Sequence, residues 1–226
     1  LEEVWAQIKK IETLYEDDDV MAVLKPSGVL MHQTMGLREP TLAGWVKKKT
    51  EQIDSYPIYR LDRGTSGVVL FAKNKEAALW LNQNQPRKSY LLATRGVVPS
   101  RGFIDHPVLN RRGDEKIAAQ TYFRRLRLFV LGNRRCSWVL ARPVTGRMHQ
   151  IRLQAQSRGF PVLGDTRYGA VHPFGVQHDD PRLRSIALHG RLLTFQHPMT
   201  RASVTVEAPL TADWSSLNLV APSGSP

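Results

Sequence analysis

The sequence contains one cysteine and no long apolar run. Cys136 alone cannot form an intramolecular disulfide or a cysteine-rich metal site, and such sparse cysteine use is more typical of a reducing compartment than of secretion. The longest apolar stretches, such as residues 67–72, are far too short to span a bilayer. Because the N-terminal residues also lack the apolar block of a signal peptide, we expect a cytoplasmic location, or an organellar one if a transit peptide was removed.

Acidic side chains are scarce in the middle of the chain. Residues 87–152 contain 15 basic and three acidic residues, a net charge of +12. Residues 1–86 and 153–226 carry net charges of −1 and +1, so the middle segment supplies the whole excess. Most of its basic residues are arginines, whose planar guanidinium group suits hydrogen bonding to phosphates and to nucleobase edges. The pattern predicts a nucleic-acid partner, although a soluble basic protein without such a partner has the same composition.

Hydrophobic residues make up 42% of the chain and charged residues 23%, which excludes collagen and general disorder. The length of 226 residues predicts a single catalytic domain, residues 1–226, with a flexible tail at residues 221–226. The predicted strands are residues 19–25, 67–72, 90–98, 120–130, 137–144, 188–196 and 203–208, and the predicted helices are residues 41–52, 74–85 and 149–158. Many strands with few helices indicate an α+β fold with a largely antiparallel sheet.

Residues 59–67 (Tyr-Arg-Leu-Asp-Arg-Gly-Thr-Ser-Gly) place Asp62 between two arginines before a tight turn and an apolar strand. The flanking guanidinium groups favour the ionised carboxylate. A carboxylate repels phosphate, so its place in a basic protein suggests catalysis, as a nucleophile or general base on a nucleic acid. The alternative is that Asp62 caps the turn through neighbouring backbone N–H groups.

This segment resembles the pattern of RluA-type RNA pseudouridine synthases. Further motifs of that family occur in order over about residues 12–209: Lys-Pro-Ser-Gly at 25–28 with His32, Lys-Ser-Tyr at 88–90, Thr-Gly-Arg-Met-His-Gln-Ile-Arg at 145–152, Gly-Phe-Pro-Val-Leu-Gly-Asp at 159–165, Tyr-Gly at 168–169 and Leu-His at 188–189. The resemblance implies a mixed, mainly antiparallel sheet split by a central basic cleft. It also implies the conversion of uridine in structured RNA into its carbon-linked isomer, without a cofactor or metal.

The resemblance assigns the catalytic role to Asp62, with Arg152 as its charged partner and Tyr90 as the residue that stacks on uracil and moves a proton. An unpaired buried carboxylate is very costly, so a partner is physically required. The alternatives are a phosphate contact or a solvated helix face for Arg152, and a core position for Tyr90.

Weaker assignments concern substrate binding. The resemblance implies that Arg60 fills the space left by the flipped base, although a structural ion pair is the alternative. Arg147 is expected to bind the substrate. His149 and Gln150 are expected to contact RNA or to orient the Arg152 segment, and a structural pair is the alternative for these two. Lys25 is expected to touch the phosphate backbone, or to be solvated before its turn.

Two positions depart from the family pattern, because Tyr59 and Gln154 stand where histidine is usual. They put substrate preference in question more than activity. We expect a monomer that binds an rRNA or tRNA stem-loop, chiefly through residues 87–152, including Arg111, Arg124 and Arg134. Two other functions remain open at this point: a non-catalytic RNA-binding or ribosome-assembly factor, and a glycosylase that releases the base.

Overall fold

The computed structural model describes residues 2–33, 36, 38–51, 54–110 and 112–217. The tail at 221–226 that was expected to be flexible lies outside these residues, as does Arg111. The described helices are α1 (Glu2–Ile8), α2 (Leu42–Thr50), α3 (Lys75–Gln83) and α4 (Gln150–Ser157), with short 3₁₀ turns at Thr166–Tyr168, Pro181–Leu183 and Ala212–Leu217. Among the described residues, no helix is long and apolar enough to cross a membrane.

Twelve strands are described. They are β1 (Glu12–Glu16), β2 (Val20–Lys25), β3 (Tyr56–Pro57), β4 (Ser66–Ala72), β5 (Arg87–Arg95), β6 (Arg101–Asp105), β7 (Val108–Leu109), β8 (Lys116–Ile117), β9 (Gln120–Leu131), β10 (Arg134–Pro143), β11 (Leu188–Gln196) and β12 (Ser203–Glu207). Ten of them form one sheet in the order β1-β2-β4-β11-β5-β10-β9-β6, with β12 beside β11 and β3 beside β4. All pairs in it are antiparallel except β11 with β4, so the predicted mixed, mainly antiparallel α+β fold is confirmed.

The centre of the sheet is buried on both faces. Every residue of β2 and β4 is buried, which explains why β4 is a continuous apolar run rather than an alternating one. Val69 packs in one core cluster with α2, whereas Val68 and Leu70 pack in the other with α3. The central strands therefore form a rigid support from which the loop containing Asp62 emerges.

Local signals placed most of the long elements correctly. The predicted helix at 74–85 opens with Asn74, a residue type that favours the N-cap position. Asn74 does cap α3, and its side chain accepts a hydrogen bond from the Ala77 N–H at 2.8 Å. Helix α2 begins after Thr41, whose hydroxyl accepts from the Gly44 N–H at 3.1 Å, one residue later than predicted. The prediction missed α1, β1, β3, β6 and the β7–β8 hairpin, since these short elements have little periodicity or depend on pairing with distant strands.

Candidate active site

Asp62 lies in the loop that enters β4 from β3. The backbone carbonyl of Asp62 accepts the Thr65 N–H at 3.0 Å, so the main chain closes this turn. The carboxylate instead accepts a hydrogen bond from Arg152 at 2.8 Å, and its side chain is 26% exposed. The turn-capping alternative for Asp62 is therefore wrong, because the side chain points at another charged group.

A pair of glycines brings this loop against Tyr90. Gly67 has φ +127°, and a Cβ there would lie 2.3 Å from the backbone nitrogen of Gly190. Gly190 is in turn paired with Tyr90 across β11 and β5, and its own Cβ would lie 3.7 Å from the Tyr90 ring. Only glycine at position 67 allows β4 and β11 to approach so closely. The close approach places the start of β4, and hence the Asp62 loop, near the Tyr90 ring.

Arg152 is held between two carboxylates. Its Nε and Nη2 donate to Asp165 at 2.7 and 2.8 Å, and its Nη1 donates to Asp62 at 2.8 Å. Burial acts against the charged guanidinium, but the hydrogen bonds and charges of Asp165 and Asp62 outweigh it and raise the pKa of Arg152. Arg152 thus stays charged and is neither a solvated helix residue nor a free phosphate contact.

Asp165 ends the motif at 159–165, where the sequence predicts only a turn or cap residue, but its side chain has a different role. It is 1% exposed, and its side chain makes no capping hydrogen bond to the following 3₁₀ turn. Its carboxylate receives two parallel N–H groups from Arg152, the bidentate arrangement that fixes a guanidinium in one plane. A buried guanidinium group needs more acceptors than one carboxylate oxygen provides. That requirement indicates a second acidic partner for Arg152 besides Asp62, and Asp165 is that partner.

His149 approaches the second oxygen of Asp62. Its Nε2 lies 3.5 Å from Asp62 Oδ1, and its Nδ1 lies 2.7 Å from the Tyr168 hydroxyl. Burial lowers the pKa of His149, with the Asp62 charge opposing and the Arg152 charge reinforcing this shift. A neutral ring that accepts from Tyr168 at Nδ1 carries its proton on Nε2, directed at Asp62. His149 therefore belongs to the site, through a tyrosine that the sequence analysis gave no role.

Tyr90 and Tyr59 form an aromatic wall beside Asp62. Tyr90 is 8% exposed, and burial together with the Asp62 charge raises the pKa of its phenol. Tyr59 donates its hydroxyl to the Val68 carbonyl at 2.8 Å, and the Lys88 ammonium lies 4.6 Å from its ring centroid. The tyrosine that replaces the usual histidine at position 59 thus packs into the wall of the cleft.

Lys25 does not reach a phosphate. Its side chain is fully buried and its Nζ donates to the carbonyls of Pro26, Arg63 and Thr65 at 3.0, 3.1 and 2.8 Å. Burial lowers its pKa to about 7, against the attraction of the Asp62 charge. The prediction that Lys25 contacts RNA, or is solvated, is wrong: the residue binds the carbonyls on either side of the Asp62 turn.

Gln150 and Gln154 also have internal partners. Gln150 is 4% exposed, accepts from the Thr145 hydroxyl at 2.7 Å and donates to the Gln120 carbonyl at 2.9 Å. Gln154 is 1% exposed and donates to the Ala119 carbonyl at 2.8 Å. The expected RNA contact of Gln150 is therefore wrong, and the structural alternative holds. The substitution at position 154 lies away from the cleft surface.

The site opens into a cleft of about 800 Å³. Its charged lining residues are Arg60, Arg63, Lys88, Arg147, Arg152, Arg167, Arg182, Arg184, Asp62 and Asp165. Arg60 and Arg147 are exposed there, as their predicted contact with RNA requires. Only three of the eight basic residues come from residues 87–152, so other parts of the chain supply most of the positive charge of the cleft. Arg124 and Arg134 do not line the cleft.

One cluster of possible metal ligands exists among the described residues, formed by Asp17, Asp19 and His197. The Asp17 carboxylate already accepts from the Tyr15 hydroxyl at 2.6 Å and from the backbone N–H groups of Asp19 and Val20 at 2.9 Å. These hydrogen bonds hold the turn between β1 and β2, which explains why the three side chains lie close together.

Sequence and structure comparisons converge on one family. The family model for RNA pseudouridylate synthases matches residues 19–157. The chain is 34% identical to tRNA pseudouridine synthase C of Haemophilus ducreyi, over 92% of this chain and 94% of that relative. It is also 34% identical to ribosomal large subunit pseudouridine synthase C of Yersinia pestis, over 87% of this chain and 65% of that relative. The solved structure of human RNA pseudouridylate synthase domain containing 1 has a TM-score of 0.69 and 25% identity, over 89% of this chain and 84% of that chain.

The matched region contains Asp62, Tyr90 and Arg152, the three residues that the fold gathers at the cleft. The chain therefore belongs to the RNA pseudouridylate synthase family and is an enzyme that isomerises uridine in RNA to pseudouridine, rather than an RNA-binding protein without activity.

Proposed function

We propose that Asp62 carries out the isomerisation by acting on the ribose carbon that bears the uracil, as a nucleophile or as a base at the neighbouring carbon. The observation that carries this proposal is the 2.8 Å hydrogen bond from Arg152 to one carboxylate oxygen of a residue that is still 26% exposed in the cleft. The guanidinium orients the carboxylate, while the exposed part of the side chain leaves room for the sugar.

Isomerisation requires the glycosidic C–N bond to break, the uracil to turn over and a C–C bond to form at the same ribose carbon. The proton on the uracil carbon must then leave, and the nitrogen released from the sugar must gain one. Burial and the Asp62 charge raise the pKa of Tyr90 and keep its phenol protonated beside Asp62. The phenol can therefore donate its proton to the released nitrogen and, as the phenolate, take up the proton that leaves the uracil carbon, while its ring offers a face for the base.

The target uridine lies stacked in its RNA, and it must leave that stack before Asp62 can reach its ribose. The cleft volume of about 800 Å³ is large enough for a nucleotide to enter. Arg60 is exposed at its wall and is suited to occupy the gap that the flipped base leaves in a stem-loop. We propose a monomer as the active form, because one chain supplies both the charged partner of Asp62 and the tyrosine beside it.

We further propose tRNA as the substrate class. Relatives named tRNA pseudouridine synthase C, from Haemophilus ducreyi and Pasteurella multocida, are each 34% identical over 92% of this chain and 94% of their own length. Relatives named for the ribosomal large subunit align over a smaller share of their own length, 65% in Yersinia pestis and 71% in Pseudomonas aeruginosa. Incubating the protein with purified tRNA and with large-subunit rRNA, then mapping pseudouridine, tests this choice. Conversion of rRNA alone would overturn it.

The role of Asp62 is tested by Asp62→Asn, which keeps the size of the side chain and removes its charge. Turnover should fall below detection. RNA affinity should stay the same or rise slightly, because the substitution removes a negative charge from a positively charged cleft. Asp18→Asn removes the same charge from an exposed residue outside the cleft and should leave turnover unchanged. Substantial pseudouridine formation by a folded, RNA-binding Asp62→Asn protein would contradict the assignment.

A further inference from the structure

Two aromatic rings are exposed side by side at the sheet edge farthest from β1. Phe103 of the edge strand β6 is 43% exposed and Tyr122 of β9 is 56% exposed. They are direct partners across the two strands, with ring centroids 4.6 Å apart and planes inclined by 39°. Rings this large are seldom left exposed as a contiguous pair, and such a surface usually serves recognition.

Three exposed arginines surround these rings. Arg142 lies opposite Tyr122 on β10, and Arg101 lies opposite Arg124 on β6 and β9. Within the described part of the chain, none of the three guanidinium groups forms an ion pair. We call this surface the back patch; its members are Arg101, Phe103, Tyr122, Arg124 and Arg142.

The back patch faces away from the cleft. Residues directly paired across antiparallel strands point to the same side of a sheet, and adjacent residues on one strand point to opposite sides. Tyr90 is paired with Ala141, and Ala141 with Phe123, so these residues point to the side of the sheet that carries the cleft. Tyr122 is next to Phe123, so it and its partner Arg142 point to the other side. The patch is therefore separate from the active site.

The partner that fits this surface is RNA. Interleaved arginines and exposed aromatic rings are the combination that binds single-stranded nucleic acid, through phosphates and stacked bases. The exposed Asp105 lies on the same face of β6 as Phe103, and its carboxylate accepts a hydrogen bond from Gln120 Nε2 at 3.1 Å. One carboxylate beside three arginines leaves this surface positive. A second copy of the chain would meet the patch with the same positive surface, which disfavours a dimer across this face.

We propose that the back patch binds an unpaired RNA segment that flanks the target stem-loop and passes around the β6 edge of the sheet. The inference rests on the proposed function, since it assumes that an RNA already occupies the cleft. This RNA contact explains why many of the basic residues in segment 87–152 lie on β6, β9 and β10 but do not line the cleft. The patch adds affinity for long RNAs and leaves the chemistry at Asp62 unaffected.

The test compares two fluorescent probes, a hairpin with uridines in its loop and the same hairpin with a 3′ extension of about twelve adenosines. The extension contains no uridine, so it cannot serve as a substrate. We expect it to tighten binding by the parent protein by about tenfold, the gain of roughly one stacked base. R101Q/R124Q should lose most of this gain. For the extended hairpin, the slope of log affinity against log salt should become about 1.4 less steep in this variant than in the parent.

The matched control is K9Q/K10Q, which removes two exposed charges just before β1, at the opposite edge of the same sheet. It should keep the gain from the extension. F103S/Y122S should reduce the gain several-fold while leaving the salt slope of the remaining gain unchanged, because stacking releases few counterions. Each variant is first checked for parental melting temperature. If F103S/Y122S does not fold, R101Q/R124Q alone decides, since both arginines are exposed.

An extension that adds no affinity in the parent, or equal losses in R101Q/R124Q and K9Q/K10Q, would overturn the proposal. If the true partner of the back patch were an acidic protein, the RNA extension would add no affinity in the parent. If the hairpin is not converted but the extension is still bound through Arg101 and Arg124, the back patch stands and the proposed function fails. The two conclusions are therefore separable.

Discussion

Asp165 holds two N–H groups of the Arg152 guanidinium at 2.7 and 2.8 Å and thereby aims the third at Asp62. The arrangement separates two tasks that a single carboxylate cannot perform together. The buried Asp165 compensates the charge of Arg152, and the partly exposed Asp62 remains available to the substrate. The orientation of the reacting carboxylate thus depends on a residue that does not itself touch the RNA.

Asp165→Asn should impair both stability and turnover. Removing one partner of a buried ion pair leaves an uncompensated charge, so we expect a loss of about 3 kcal/mol in the free energy of unfolding. Single-turnover pseudouridine formation should slow by at least tenfold in the protein that remains folded, because Arg152 is no longer fixed in one plane. Urea unfolding and rate measurements below the unfolding transition check this. Unchanged turnover would show that Asp62 needs no such support.

Tyr90→Phe should separate binding from chemistry. The phenylalanine ring can still stack on uracil, so RNA affinity should stay within about twofold of the parent, whereas the step that needs the hydroxyl proton should slow by about 100-fold. Rapid-quench kinetics under single-turnover conditions, with affinity measured separately, provide the readout. A parental rate would leave Tyr90 as a packing residue.

Tyr168→Phe should reduce turnover through His149. The variant removes the hydroxyl that lies 2.7 Å from Nδ1, so the ring no longer has a fixed tautomer, and the proton on Nε2 is no longer directed at Asp62. We expect the rate of the chemical step to fall several-fold with little change in affinity. Tyr15→Phe is the control, because it also removes a hydrogen-bonding hydroxyl, one that donates to the Asp17 carboxylate outside the cleft. Equal effects of the two substitutions would contradict a role for Tyr168 at the site.

Lys25 makes stability depend on pH in a particular direction. Burial lowers its pKa to about 7 in the folded protein, against an ordinary value of 10.5. Between these values the unfolded chain binds more protons, so the contribution of Lys25 to stability rises with pH and is lost as pH falls towards 7.

The free energy of unfolding of the parent, relative to Lys25→Met, should therefore increase by about 1.4 kcal/mol per pH unit between pH 7.5 and 9. Groups common to both proteins cancel in this difference, which urea titrations at several pH values can measure. A difference that does not change with pH would mean that Lys25 keeps its ordinary pKa.

Sequence reasoning identified what local patterns and motifs determine and missed what long-range pairing determines. Asp62, Tyr90 and Arg152 were identified from their motifs, and Asn74 from its position before an amphipathic helix. The buried partners could not be identified in the same way. Whether Lys25 reaches solvent or the carbonyls 38 and 40 residues away depends on how β2 and β4 pair. The distribution of positive charge around the cleft could not be predicted for the same reason, since linear charge density does not reveal which face of a strand each arginine occupies.

The cleft charge should make RNA binding depend steeply on salt. With about six phosphates neutralised, the log–log slope of affinity against salt for the hairpin without an extension should lie near −4 to −5. Arg60→Gln and Arg167→Gln, at exposed residues of the cleft lining, should each flatten the slope by about 1. Arg134→Gln should leave it unchanged, because Arg134 belongs to the basic segment but does not line the cleft. Affinity measured from low to moderate salt distinguishes these variants. Equal flattening by Arg134→Gln would mean that the hairpin is bound by the whole positive surface and not by the cleft.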